Sequence, residues 1–137
     1  MHGGRCSLLE LLILAMLISE GGAHGYALYK RILEVTQMHW NPSIGTIYRL
    51  LNDMASRGLV AREVEGRRRR YSVTGRGVEY FASRARTPLT RKAGVLAALL
   101  EAYFKVAEEK PGIVAGDLKE RLRALREVLD RYGKLLE

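Results

Sequence analysis

The chain has 137 residues, room for one domain with an appended helical arm, and can bury about two-thirds of its unfolded surface without a disulfide or metal staple. A hydrophobic fraction of 47% excludes a disordered chain, and 23 Lys and Arg against 15 Asp and Glu leave a net charge of +8, which points to an anionic partner, nucleic acid first. The excess is local: nine arginines and three acids stand between Leu59 and Arg91.

The single cysteine, Cys6, cannot close an intrachain disulfide, which fits a reducing cytoplasm. Leu8, Leu9, Leu11, Leu12, Leu14, Met16 and Leu17 make a helix apolar nearly all round, the pattern of an element at the centre of a core. Ser7 is placed to cap it, with Glu10 three residues on completing a capping box. The apolar run Leu8–Ile18 is too short to cross a bilayer and no small-residue cleavage site follows it closely, so neither a membrane span nor a secretory leader is expected. Gly21, Gly22 and Gly25 then break the pattern. A second helix over about 25–35 carries Tyr26, Leu28, Tyr29, Ile32 and Leu33 at helical spacing, and Gln37–Trp40 forms the connection, with Trp40 placed in the core.

Asn41 as N-cap and Pro42 at the first helical position open a third helix. Its apolar face is Ile44, Ile47, Leu50, Leu51 and Met54; the opposite face shows Gly45, Tyr48, Arg49, Asn52 and Ser56, flanked by Thr46 and Asp53. Gly58 ends it in the C′ role. Gly45 weakens a helix, which fits a place where a DNA backbone must come close. Leu59–Glu65 and Arg69–Val73 read as a hairpin turned by Gly66-Arg67-Arg68, with Tyr71 and Val73 sharing the core side.

Thr74 caps a further helix to about Arg86, which Thr87-Pro88 interrupts; another runs from beyond Thr90 to Glu109 and ends at Pro111-Gly112. The last helix, about Ala115–Leu136, sets Leu118, Leu122, Leu125, Leu129, Tyr132 and Leu136 at alternating spacings of 4 and 3. That heptad stripe favours a dimer contact over packing within the chain.

The fold expected is therefore mainly α with a small β-hairpin: a winged helix-turn-helix domain over 1–86 and a C-terminal helical dimerisation region over 87–137. A polar helix face followed by an arginine ribbon suits DNA, where one element reads base edges and the other meets phosphate or a groove. Candidate DNA contacts are Ser43, Gly45, Thr46, Tyr48, Arg49, Asn52, Arg67, Arg68, Arg69 and Arg70. Arg49 could pair with guanine and Asn52 with adenine, Tyr48 and Thr46 suit phosphate or a thymine methyl, and at least two wing arginines would touch phosphate or enter a minor groove. His2, His24 and His39 lack metal-ligand spacing. The glycines at 21–25 neither follow a strand nor precede Lys-Ser/Thr, so no metal, cofactor or catalysis is expected.

These segments resemble the PadR-like family of winged helix-turn-helix transcriptional regulators. The matching residues are His24-Gly25-Tyr26, Trp40-Asn41-Pro42-Ser43-Ile44-Gly45-Thr46-Ile47-Tyr48, Gly58-Leu59-Val60, and Glu65-Gly66 through Tyr71-Ser72-Val73-Thr74-Gly75-Arg76-Gly77. The resemblance covers about residues 8–80. It implies a recognition helix at 42–57, a wing at 59–73, and a homodimer built through C-terminal helices on a near-palindromic operator. It also implies control by a ligand or partner, for which Tyr103, Phe104 and Tyr132 are candidate lining residues. Arg49 stands where many relatives carry proline, and residues 87–137 resemble the family only in being helical. The reading is a DNA-binding transcriptional regulator, expected to repress. A winged-helix protein-interaction module and a nonspecific nucleic-acid-binding protein stand as alternatives.

Overall fold

A computed structural model describes residues 7–36 and 42–137. The readings that concern Cys6, the Gln37–Trp40 connection, His2, His39 and an Asn41 cap lie outside the described residues. Two compact units form, residues 1–90 and 91–137.

In the first unit, helix α1 (Leu8–Glu20) lies at the centre. Ile13, Leu14 and Leu17 are wholly buried, and Leu9, Leu11 and Met16 nearly so. The Ser7 hydroxyl caps α1 by accepting from the Glu10 N–H at 3.0 Å. A short strand β1 (Ala23–His24) precedes helix α2 (Gly25–Thr36), which gives Leu28 and Ile32 to the same core. Helix α3 (Ile44–Ser56) adds Ile47, Leu51 and Met54. Each such side chain contributes roughly 1.5–3 kcal/mol relative to exposure.

Strands β2 (Val60–Glu65) and β3 (Arg68–Val73) form the expected hairpin, and β1 adds to it, giving an antiparallel sheet in the order β1-β3-β2. Tyr71 faces Ala23 on one side and Arg62 on the other. Tyr71 is fully buried and Val73 packs partly buried against the core, so the period-2 reading of β3 holds. β1 has two residues, too few for any alternating pattern to register.

Three boundaries differ from the sequence reading. Helix α3 begins at Ile44 with Ser43 as its N-cap, and Pro42 lies outside the helix. The Ser43 hydroxyl accepts from the Thr46 N–H at 3.1 Å, which fixes the helix start two residues later than Pro42 suggested. Helix α4 (Gly75–Glu109) is continuous through Thr87-Pro88. Proline removes one donor and costs about 3 kcal/mol in a helix interior, which a helix of 35 residues absorbs. Helix α5 (Gly116–Arg131) stops before Tyr132, and Gly133–Leu136 forms a 3-10 turn. The heptad stripe therefore ends at Leu129, because Leu136 no longer follows the 3.6-residue repeat.

Other expected signals are in place. Gly58, at φ 78°, follows the C-cap Arg57, where a side chain would strain the left-handed turn. Thr74 accepts from the Gly77 N–H at 3.0 Å at the start of α4. Among the described residues no helix is long and apolar enough to cross a membrane.

Candidate nucleic-acid interface

Helix α3 is two-faced. Ile47, Leu51 and Met54 are buried, while Gly45, Arg49, Asn52, Asp53 and Ser56 are exposed and Thr46 and Tyr48 half-buried. Ile44, which spacing grouped with the apolar face, is 36% exposed in the first turn, before the helix meets the core.

The expected contact residues do different jobs within the chain. Ser43 and Thr46 are coupled, Oγ to Oγ1 at 3.0 Å, in addition to the cap, so their hydroxyls are partly spent on holding the helix start. Tyr48 packs partly buried against the core. Its ring lies over Gly25, the first residue of α2, where a Cβ would overlap the ring. Glycine at 25 is what lets α3 cross α2 with a tyrosine between them. Gly45 has no such reason: a Cβ there would meet only the Ser43 hydroxyl, at 3.8 Å. Arg49 is exposed.

Asn52 is held from the wing. Arg62 of β2 donates from Nη1 to Asn52 Oδ1 at 2.8 Å. The charge count included Arg62, but nothing in its spacing marked it as a partner of the helix. The contact crosses the turn after α3, and no periodic pattern spans that distance.

At the wing, Arg67, Arg68 and Arg69 are exposed, whereas Arg70 is half-buried and donates from Nη2 to the Gly21 carbonyl at 3.1 Å. Arg70 thus ties β3 to the turn before β1. His24 is half-buried, with Nε2 2.9 Å from Glu65 Oε1. A cleft of about 480 Å³ opens between wing and helices, lined by His24, Gly25, Tyr26, Ala27, Tyr48, Arg67, Arg68 and Arg69. Three of the four predicted wing arginines and Tyr48 therefore meet at one cationic concavity. Among the described residues, no group of three or more His, Cys, Asp and Glu could hold a metal ion.

In the second unit, Leu118, Leu122 and Leu125 are half-buried, while Leu129, Tyr132 and Leu136 are exposed. α4 carries its own exposed apolar row, with Val95 at 60% and Leu99 at 63% followed by Tyr103 and Val106. Tyr103 donates its hydroxyl to the Ile113 carbonyl at 3.1 Å, tying α4 to the loop before α5. Phe104 is exposed.

Residues 13–83 match the transcriptional regulator PadR-like family, and the chain belongs to that family. Transcriptional regulator YqjI of Escherichia coli (strain K12) is 33% identical over 71 residues, which cover 51% of this chain and 34% of that protein. The match thus spans about a third of the length of that curated relative. The crystal structure of a PadR family transcriptional regulator from Eggerthella lenta superposes with a TM-score of 0.52 at 27% identity, covering 66% of this chain and 80% of that one. RosR of H. salinarum is similar in fold across nearly the whole length, with a TM-score of 0.57 at 19% identity, covering 96% of this chain and 97% of that one.

Proposed function

We propose that the protein is a sequence-specific DNA-binding transcriptional repressor that works as a homodimer on a near-palindromic operator. α3 would enter the major groove with Arg49 and Asn52 toward base edges, while Arg67, Arg68 and Arg69 meet phosphate or a minor groove. The observation that carries this reading is the cleft where Tyr48 of α3 and the three wing arginines converge. An interaction module for protein would have no need of that cationic concavity beside an exposed polar helix face.

We assign DNA binding to residues 1–86 and self-association to 87–137, through the exposed apolar row of α4 together with Leu129, Tyr132 and Leu136. Leu118, Leu122 and Leu125, half-buried within the chain, give the interface less than their spacing promised. Control by a ligand or partner would act on the same C-terminal region, around the exposed Phe104.

The test is binding of the purified protein to DNA from upstream of its own gene and to a scrambled duplex, across a salt series. Preference for the upstream fragment by 10³ or more, with a steep salt slope, is the expected result. Equal weak binding to both duplexes supports a nonspecific nucleic-acid-binding protein instead. No duplex binding leaves the protein-interaction module.

A further inference from the structure

Arg62 and Asn52 come from different elements and meet beside the outward face of α3, both exposed. Arg62 stands opposite Tyr71 in the sheet. Since Tyr71 is fully buried, Arg62 leaves the sheet on the face that packs on the helices and extends toward α3 rather than toward the wing tip.

A guanidinium has donors and no acceptor, so the contact fixes which way the Asn52 amide is turned: Oδ1 faces Arg62 and the NH₂ group faces away. That orientation alters what the side chain can read. An asparagine recognises adenine by donating to N7 and accepting from the N6 amino group on Oδ1. Here a base amino group approaching Oδ1 would have to stand beside a cation. What the pair offers outward is N–H donors, from the Asn52 amide and from the unused guanidinium nitrogens. Of the four base edges in a major groove, guanine alone presents two acceptors, O6 and N7, side by side without an amino group.

We propose that Asn52 and Arg62 act as one donor pair that selects guanine over adenine at a single base pair of the binding site, with Arg62 a specificity-determining residue outside both the recognition helix and the wing tip. The inference rests on the DNA-binding reading above and replaces the Asn52–adenine pairing that spacing suggested.

The experiment selects preferred sites from a randomised duplex pool with the full-length chain, in the wild type and in Arg62→Ala and Asn52→Ala. Arg62→Met, which keeps the aliphatic stem over the strand, reads the same effect if the alanine variant folds poorly. The wild type is expected to enrich guanine at one position in each half-site. Both substitutions should lower that preference by roughly tenfold and leave the other positions intact. The arginine variant should shift the same position toward adenine, because the amide is then free to turn. Changes at two different positions, or an even loss of affinity on every sequence with an unchanged profile, would overturn the proposal while leaving sequence-specific binding standing. A wild type that enriches nothing removes the DNA-binding reading itself.

Discussion

Arg57, the C-cap of α3, donates from Nη1 to Glu10 of α1 at 3.0 Å, across 47 positions of chain. Glu10 is 8% exposed, and its other oxygen receives the Tyr80 hydroxyl of α4 at 3.3 Å. Arg57 also donates to Tyr80 at 2.9 Å and to Asp53 at 2.9 Å. One guanidinium therefore joins the end of the candidate recognition helix to the central helix and to the helix that leaves the domain. Replacing Glu10 with Gln removes the charge partner but keeps the shape. Because Arg57 is partly solvated, the loss should be moderate, about 1–2 kcal/mol, read as a lower midpoint in urea with unchanged slope.

Burial works against the Arg57 charge, but hydrogen bonds to Asp53, Tyr80 and Glu10 outweigh it and raise its pKa above the ordinary arginine value. A raised pKa adds stability that is present below the unfolded-state value and is lost only as pH climbs through the folded one. Both lie in strong alkali. The stability gap between wild type and Arg57→Leu should thus stay level from about pH 7 to about pH 10. A gap that narrows across that window would mean the guanidinium is not what holds the junction.

Tyr71 presents the opposite case. It is fully buried in β3, and its hydroxyl has no partner among the described residues. An orphaned buried hydroxyl costs about 1–3 kcal/mol, so Tyr71→Phe should be neutral or stabilising by about 1 kcal/mol in thermal melts. Tyr71→Ala should cost about 3–5 kcal/mol by leaving a cavity beneath the wing. A clear loss of stability in the phenylalanine variant would show that the hydroxyl is satisfied in solution.

Gly45 separates stability from binding. A Cβ there meets open space apart from the Ser43 hydroxyl, and alanine is favoured over glycine inside a helix by about 1 kcal/mol. Gly45→Ala should therefore raise stability by about 0.5–1 kcal/mol. If a DNA backbone approaches this turn, affinity for the operator should fall about tenfold in the same protein. Unchanged affinity would place the backbone contact elsewhere.

These residues also show what the sequence could carry. The two faces of α3, the hairpin and the all-round apolar α1 follow from periodicity, since 3.6- and 2-residue repeats are local properties of the chain. The Arg57–Glu10 and Arg62–Asn52 contacts are set by packing between elements, and Glu10, beside its place at the Ser7 cap, meets a guanidinium 47 positions away that no local pattern marks. Spacing likewise placed Tyr48 outward, whereas its position is decided by Gly25 on a different helix. Pro88 misled for the reverse reason: a local breaker was outweighed by the helical ladder on both sides of it. Residues placed by a local repeat were legible, and those whose role depends on a distant neighbour were not.

The C-terminal unit makes the last prediction. Val95 and Leu99 are one helical turn apart on α4 and more than half exposed, with Tyr103 one turn further on. Leaving such a row in water forgoes roughly 25 cal/mol per Å² of apolar surface that a second copy could cover. Leu99→Glu puts a charge in the middle of that row at a position with little packing to lose within its own chain. The variant should sediment as a monomer at concentrations where the wild type is a dimer, with its helical content unchanged. A monomer contacts one half-site at a time, so its affinity for a two-half-site operator should fall by about 10²–10⁴ as avidity is lost, while affinity for an isolated half-site stays close to that of the wild type. A variant that remains dimeric would move the interface to Leu129 and the residues after α5.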